Sequence, residues 1–255
     1  MSFRIVSLVP SLTHMLCDLD LKGSLVGCTS YCVKPVGLHR MAKVIGGTKD
    51  PDIAAIAELK PTHIIVNEEE NRLEDIAALQ KIAKVVTTFP KQPSEVPQMI
   101  RDFGAEFHVL AVAEKYANEI ERTLHDIQIA KVNRHAKTAA YFIWREPYML
   151  VGKDTYIDAM MHLMGWNNAF QGLDRYPKIS IEDLKAMAPE VILLSSEPYP
   201  FRKRDAERLR EEYPSEAAIY WIDGQLMSWY GTETLLALQE IKKAQQGPAA
   251  LIKPL

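Results

Sequence analysis

The segment FIWREPYMLVGKDTYI, residues 142–157, places ligand-binding side chains directly after an apolar run. Trp144 and Tyr148 offer aromatic faces, which stack on flat ligands, and Arg145 offers a planar cation that reaches a carboxylate, an amide or a phosphate. The segment therefore predicts one rim of a small-molecule site. Arg145 could instead pair with a carboxylate of the protein itself.

Aromatic and acidic side chains also crowd five further loops, SYCVKP, NEEEN, LDRYP, SSEPYPF and DGQLMSWYG. Aromatic walls with few polar groups suit a large, flat, partly apolar ligand. The same rings could instead seal the ends of a folded lobe, and the acids could begin a helix. The candidate ligand-binding residues are Tyr31, Cys32, Glu69, Asn71, Trp144, Arg145, Tyr148, Tyr176, Tyr199, Trp229 and Tyr230.

Other chemistries lack their local signatures. The seven histidines are dispersed without HExxH, and Cys28 and Cys32 do not form CxxC, which disfavours a structural zinc site. A single transition ion held through Glu69, His39 or Cys32 stays open. GxGxxG, the P-loop and GxSxG are all absent from the sequence, so dinucleotide chemistry, P-loop phosphoryl transfer and the hydrolase elbow lack their local signatures. Acids of the NEEEN loop leave enzymatic or chaperone action on a ligand as the alternative.

Strand-like and helix-like segments alternate along the chain, which predicts parallel α/β architecture. The first half, residues 1–104, contains four predicted strands: RIVSLVP, LVGCTS, THIIVNE and AKVVTTFP. The second half, residues 136–255, contains three: TAAYFIW, EVILLSS and AIYWID. In such sheets ligands bind beyond the carboxyl ends of the strands, where the aromatic loops lie. In the second half we expect Gly152 to permit a tight turn before a helix over 154–164, with Asp154 as its N-cap.

Residues 105–135 predict one long helix between the halves. Apolar residues recur at spacings of three and four, as a buried helical stripe requires: Phe107, Leu110, Ala113, Ala117, Ile120, Leu124 and Ile127. Roughly 28 helical residues at about 1.5 Å each would span about 42 Å. We expect two α/β lobes with central parallel sheets, joined by this backbone helix.

Composition excludes some partners. The 255 residues carry a net charge of −3, and the densest basic stretch, FRKRDAERLR, is interleaved with acids, so nucleic acid is not expected as a partner. No stretch approaches the roughly 20 apolar residues that cross a bilayer. The start MSFRIVSLVPSLTHML lacks the pattern of a signal peptide, which predicts a cytoplasmic protein, or a periplasmic one if a leader has been removed.

Several segments in order resemble the helical-backbone metal-receptor superfamily, the substrate-binding proteins of ABC importers for vitamin B12 and iron chelates. They include RIVSLVPSLTHML, LVGCTSYCVKP, VIGGTKDPDIAAIAELKPTHIIVNEEEN and VGKDTYIDAMMHLMGWNNAF. The chain is most similar to the cobalamin-binding branch, and IWREPYM, VGKDTYI and SSEPYPF resemble a leaderless subgroup. The resemblance implies two lobes joined by one helix, with a cobalamin, another corrinoid or a similar metal chelate held in a cleft between the lobes. It implies a binding protein that leaves its ligand chemically unchanged, so we expect no enzyme activity and no catalytic cofactor.

The resemblance also implies roles for particular residues. Tyr31 and Tyr176 match cleft aromatics of the B12 receptor, which carries tryptophan at the second position. Glu182 matches the acid of the C-terminal lobe that docks on an ABC permease, whereas the N-terminal counterpart falls at Ala54. Receptors of this kind present one carboxylate per lobe to permease arginines, so delivery to a permease is in question. Nearby Asp50 and Asp52 could partly substitute.

Overall fold

The computed structural model describes residues 3–130, 136–246 and 251–255. The chain divides into two compact α/β units. Unit 1 comprises the chain up to Pro90 together with Val96–Asn118 and Tyr230–Glu233, and unit 2 comprises Lys91–Glu95, Glu119–Trp229 and Thr234–Leu255. The short segment Tyr230–Glu233 therefore belongs by its contacts to unit 1, although it follows unit 2 in the sequence.

Unit 1 is built on a five-stranded parallel sheet of order β3-β2-β1-β4-β5. Its strands are β1 Ile5–Ser7, β2 Leu25–Cys28, β3 Lys43–Val44, β4 His63–Asn67 and β5 Lys84–Thr88. Its helices are α1 Pro10–Asp18, α2 Ile53–Glu58, α3 Leu73–Leu79, α4 Val96–Glu106 and the first part of α5 Leu110–Ala130. The central strands are buried on both faces, and Val6 and Ile64 pack against Ile56 of α2.

Unit 2 is built on a second sheet of order β11-β10-β9-β6-β7, with β8 paired to β6. Its strands are β6 Lys137–Trp144, β7 Met149–Leu150, β8 Trp166–Asn168, β9 Val191–Ser195, β10 Ala218–Ile222 and β11 Ile252–Pro254. Its helices are α6 Tyr156–Leu163, α7 Ile181–Met187, α8 Lys203–Glu212, α9 Gly224–Ser228 and α10 Glu233–Gln246. β6, β8, β9 and β10 run parallel, whereas β7 and β11 are antiparallel. The predicted α/β class with parallel sheets is confirmed.

The long helix α5 begins later than the sequence predicts. Residues 105 and 106 belong to α4, and the chain leaves that helix at His108, which adopts φ 59°, where Val109 N donates to Gly104 O at 2.9 Å. That bond is the 6→1 contact of a Schellman motif, which closes a helix. α5 then runs from Leu110 for 21 residues, about 31 Å, and the predicted end over 131–135 lies outside the described residues.

The apolar stripe that predicted α5 is buried over most of its length. Leu110 at the helix start is exposed, whereas the other five residues of the stripe within α5 are buried: Ala113, Ala117, Ile120, Leu124 and Ile127. Gly104 explains how closely α4 and α5 meet, because a Cβ there would lie 2.5 Å from Ala113 Cβ. The periodicity therefore located the helix over Leu110–Ala130, whereas the predicted start at residue 105 was wrong.

Helix α6 also differs from expectation at its start. Asp154, the expected N-cap, has φ 59° and lies before the helix. The cap is Thr155, whose hydroxyl accepts from Asp158 N at 3.2 Å. At Gly152, where we expected a tight turn, the structure shows a close backbone approach, because a Cβ there would lie 2.2 Å from Leu173 O. The described helices include none that is long and apolar enough to traverse a bilayer.

Candidate functional site

The candidate site of unit 2 lies where β6, β9 and β10 end. These three strands are parallel, so their carboxyl ends meet at one edge of the sheet. β6 is buried from Ala139 to Ile143 and then turns outward at Trp144, whose side chain is 40% exposed. An indole this exposed at a strand end is available for contact with a ligand.

Aromatic rings from the loop after β9 support Trp144. The Tyr199 ring meets the indole edge-on, with centroids 5.8 Å apart and planes at 72°, and it packs in the same way on the buried Phe201 at 4.7 Å. Edge-to-face contacts of this kind are worth about 0.5 to 1.5 kcal/mol beyond area burial. One face of Trp144 is therefore held in place by Tyr199 while the side chain stays partly open.

A second indole, that of Trp229, is fixed by a hydrogen bond to a carboxylate. Trp229 Nε1 donates to Glu197 Oε1 at 2.9 Å, and Ser228 Oγ donates to the same oxygen at 3.3 Å. Burial raises the pKa of Glu197 above its usual range, against the opposing effect of these bonds. Gly224 leaves room for the Glu197 side chain, because a Cβ at position 224 would lie 2.7 Å from Glu197 Cγ. Glu197 thus sets the direction in which the Trp229 ring points.

Arg145 is held by the protein rather than directed at solvent. Its Nη1 donates to Asp205 at 2.6 Å and its Nη2 to Glu146 at 2.9 Å, and Tyr199 OH also donates to Asp205 at 3.2 Å. The alternative in which Arg145 pairs with a protein carboxylate is therefore what the structure shows. Any ligand contact through the guanidinium would have to compete with the buried Asp205.

Tyr148 is likewise engaged within unit 2. Its hydroxyl donates to Glu212 Oε2 at 2.8 Å, and its ring packs edge-on against the buried Phe142 with centroids 5.5 Å apart. Burial, together with the Glu212 carboxylate, raises the pKa of Tyr148. The Tyr148 ring therefore packs against the hydrophobic core of unit 2 and is only partly exposed.

Tyr176 lies in a loop that Gly152 holds in place. Gly152 N donates to Arg175 O at 2.7 Å, and Arg175 N donates to Lys153 O at 3.0 Å. The Arg175 guanidinium carbon stands 6.0 Å from the centroid of the Tyr176 ring, and the tyrosine is partly exposed. The predicted role of Tyr176 as a ligand contact stays a prediction, with the loop geometry now defined.

Among the predicted residues of unit 1, Tyr31 is exposed and Cys32 is buried. Tyr31 is 63% exposed in the loop after β2, close to Gly47, whereas Cys32 beside it is buried. Tyr230 is also buried, with its hydroxyl 3.2 Å from Thr88 Oγ1. Of these three side chains, Tyr31 alone presents its ring to solvent.

The loop after β4 is organised by buried amides. Asn71 Oδ1 accepts from Asn67 N at 2.9 Å, Asn71 Nδ2 donates to Thr48 O at 2.9 Å, and Asn67 Oδ1 accepts from Glu69 N at 2.8 Å. Asn71 is buried and therefore shapes the loop from beneath. The backbone oxygen of Glu69 also accepts from Lys49 Nζ at 2.9 Å. The acids precede α3 as a turn rather than forming its first helical turn.

Two groups of interacting side chains escaped sequence analysis. One is Asp205, which lies 60 residues from its partner Arg145. The other joins Glu233 to His14, with Glu233 Oε1 3.1 Å from His14 Nδ1, and to Lys34 Nζ at 3.5 Å. The Glu233 carboxylate beside it raises the pKa of His14, and His14 in turn lowers the pKa of Glu233. Neither group has a local sequence signature, because its members are distant along the chain.

Within the described ranges, no three or more His, Cys, Asp or Glu side chains are grouped so that they could hold a metal ion. Glu69, His39 and Cys32, considered above for a single transition ion, do not form such a group.

The two positions that the family resemblance associates with permease docking, Glu182 and Ala54, occupy equivalent places in their units. Glu182 is the second residue of α7 and Ala54 the second residue of α2, and both are exposed. Each helix leads through a short loop into a buried central strand, β9 or β4. The carboxylate is thus present on unit 2 and replaced by a methyl group on unit 1.

Comparison with known proteins gives consistent matches. A family model described as periplasmic binding protein matches residues 5–215. The vitamin B12-binding protein of Vibrio cholerae is 24% identical over 196 residues, covering 75% of this chain and 70% of that protein. The high-affinity heme uptake system protein IsdE of Staphylococcus aureus is 26% identical over 196 residues, covering 75% of this chain and 66% of that protein.

Solved structures agree on the fold. The periplasmic vitamin B12 binding protein BtuF of Vibrio cholerae superposes with a TM-score of 0.81 at 19% identity, covering 95% of this chain and 96% of that one. A periplasmic heme-binding protein, BhuT, in complex with two hemes, superposes with a TM-score of 0.81 at 18% identity, covering 96% and 98% of the two chains. At these identities the likeness establishes the fold alone.

Proposed function

We propose, from the premise that the chain belongs to the periplasmic binding protein family, that it holds a metal chelate of the corrinoid or haem class and releases it unchanged. The observation that carries this proposal is the pair of oriented indoles at the edge of the unit 2 sheet. Trp144 is partly open with Tyr199 at its side, and Trp229 is directed by Glu197.

The chemistry of these side chains favours a broad, flat ligand. Corrins and porphyrins present large apolar faces, and indole rings stack on such faces without requiring a particular hydrogen bond. Relatives named for vitamin B12 and for heme support the same class of ligand. Between the two we favour a corrinoid, because Tyr31 and Tyr176 match the aromatics expected of the cobalamin-binding branch.

Ligand titration tests the proposal. Purified protein is titrated with cobalamin, haemin and a ferric siderophore, with absorbance and calorimetry as readouts and one ligand per chain expected. Trp144→Ala combined with Tyr176→Ala should weaken binding at least tenfold, which equals about 1.4 kcal/mol. The ligand should be recovered chemically unchanged after prolonged incubation.

Trp166→Ala is the matched control, because it makes the same substitution on the same sheet. Trp166 pairs with Lys137 at the amino end of β6, whereas Trp144 ends that strand at its carboxyl end. Affinity should therefore be unchanged in this variant. Tight binding of a bare divalent ion with no binding of any of the three chelates would overturn the proposal, as would conversion of the ligand.

We further propose that docking on an importer permease is weakened on the side of unit 1. Ala54 offers no carboxylate, and Asp52 nearby is engaged as the N-cap of α2, where it accepts from Ala55 N at 2.9 Å. Losing one partner of a buried charge pair costs about 2 to 5 kcal/mol. Ala54→Glu should tighten binding to a B12-type permease in detergent and Glu182→Ala should weaken it further. Equal affinity in all three proteins would argue against docking through these helices.

A further inference from the structure

The chain between β2 and the end of β3 carries most of the exposed apolar side chains of unit 1. Among the described residues of that unit, seven large apolar side chains are exposed, and five of them lie in this one segment: Tyr31, Val33, Val36, Met41 and Val44. Tyr31 keeps the ligand-contact role predicted above, and the other four are called the loop patch. Apolar side chains that are grouped on a surface, unlike single ones, mark contact with a partner or a membrane.

The loop patch belongs to an ordered loop. Cys32 and Leu38 are each 1% exposed and anchor the loop in unit 1, whereas Val36 between them is 95% exposed. Backbone bonds close the loop on both sides of Leu38, because Leu38 N donates to Pro35 O at 3.1 Å and Met41 N donates to Leu38 O at 2.9 Å. The apolar side chains are therefore held outward before any partner arrives, which lowers the cost of ordering on binding.

The charge around the loop patch has one sign. No Asp or Glu occurs in the sequence between Asp20 and Asp50, whereas four basic residues lie in or beside the patch: Lys34, Arg40, Lys43 and Lys49. Arg40 and Lys43 are exposed, and the one acid paired with Lys43 is the exposed Glu58, at 3.5 Å, an ion pair that solvent screens. Exposed apolar side chains flanked by cations alone are typical of surfaces that meet anionic lipid.

A cavity of about 270 Å³ lies within the same loop. Its walls include Val33, Val36 and Leu38, which are apolar, and His39 and Arg40, which are basic. Sites that enclose a drug-sized molecule measure about 300 to 1,000 Å³, so this smaller cavity suits a headgroup rather than a whole lipid. A guanidinium binds phosphate oxygens through two parallel N–H groups. A phosphodiester attached to an apolar chain matches both kinds of wall.

We propose that the loop patch inserts into the surface of a bilayer that contains anionic phospholipid, with Arg40 on a headgroup phosphate. A second copy of this chain fits less well, because a symmetric pair would bring the same cations face to face. A protein partner also fits less well, because valine is under-represented among the residues that anchor protein interfaces. The contact is independent of the ligand proposed for the edge of the unit 2 sheet.

Vesicle sedimentation of the full chain tests the proposal. Vesicles of phosphatidylcholine alone are compared with vesicles of phosphatidylcholine mixed with phosphatidylglycerol. Each cation near an anionic surface strengthens binding about fivefold, so Arg40 and Lys43 together predict at least about tenfold tighter binding to the mixed vesicles. Added salt should reduce that difference, because it screens exposed charges.

Variants with matched controls locate the contact. Val33→Asp combined with Val36→Asp should weaken binding to mixed vesicles at least about tenfold, whereas Leu73→Asp, at a 71% exposed position of the same unit, should leave it unchanged. Arg40→Gln should weaken it about fivefold. Its control is Lys60→Gln, because Lys60 is exposed and precedes β4 at the opposite, amino edge of the sheet. All these positions are exposed, so thermal melts should stay as in the natural chain.

Two results would overturn the proposal. One is a natural chain that does not sediment with mixed vesicles, or whose sedimentation the Val33 and Val36 double variant leaves unchanged. The other is a dimer in light scattering that forms without vesicles and disappears in that double variant, which would assign the loop patch to a second copy of the chain.

Discussion

Replacing Asp205 with alanine should be among the most destabilising single changes in unit 2. Its side chain is 1% exposed and accepts three hydrogen bonds: from Arg145 Nη1 at 2.6 Å, from Tyr199 OH at 3.2 Å and from Arg202 N at 2.8 Å. Breaking a buried ion pair typically costs about 3 to 5 kcal/mol, because the remaining charge stays buried without its partner. Arg145 retains Glu146 at 2.9 Å, an exposed partner, so we expect a loss near the lower end, about 3 kcal/mol.

Urea unfolding followed by circular dichroism measures this loss, with Glu207→Ala as the control on the same helix. Glu207 is exposed and lies 3.9 Å from Lys203, so its removal should change the free energy of unfolding by less than about 0.5 kcal/mol. Arg145→Ala should also destabilise the protein. If instead Arg145→Ala left stability unchanged and only weakened ligand affinity, Arg145 would be a ligand contact and the structural role assigned to the pair would be refuted.

Two further perturbations probe the loop of Tyr176 and, within unit 1, the contact of His14 with Glu233. Gly152→Ala should lower the free energy of unfolding by about 1 to 3 kcal/mol in urea titrations, because the new Cβ would meet Leu173 O at 2.2 Å, whereas Gly172→Ala, with open space around it, should be neutral or slightly stabilising. The stability difference between the natural chain and His14→Gln should be largest below pH 6.5 and shrink as the pH rises through the folded pKa of His14, since Glu233 raises that pKa. A difference that grew with pH in thermal melts would contradict this assignment.

The fold could be predicted from the sequence wherever buried apolar residues recur at the period of a helix or a strand. α5 shows this most directly. The apolar residues of its stripe recur at spacings of three and four, and all of them after Leu110 are buried. The start of that helix was missed because the break depends on His108 in a left-handed conformation, a residue type with no strong signal for it. The edge strands β3, β7, β8 and β11 have two or three residues each, too few for an alternating pattern to be read.

The candidate site could be predicted in part. The position of aromatic residues at strand ends, such as Trp144, could be predicted because parallel α/β sheets place those ends at one edge, whereas their role as ligand contacts stays a prediction. What those side chains bond to could not be found, because Asp205 and Glu233 lie 60 and 199 residues from Arg145 and Lys34, their partners. A single sequence contains no information on such pairings, which arise only when the sheets are assembled.

The equivalent helices α2 and α7 differ at their second residue, and the stability of the fold does not explain that difference. Their N-caps, Asp52 and Ser180, both accept from backbone N–H groups, so either helix start is stable with its own sequence. Ala54 and Glu182 are exposed at the second helical position, where an acid adds only about 0.3 to 1 kcal/mol through the helix dipole. Packing therefore permits either residue at either site. Because stability does not dictate the choice, the fold does not explain why unit 1 carries alanine where unit 2 carries glutamate.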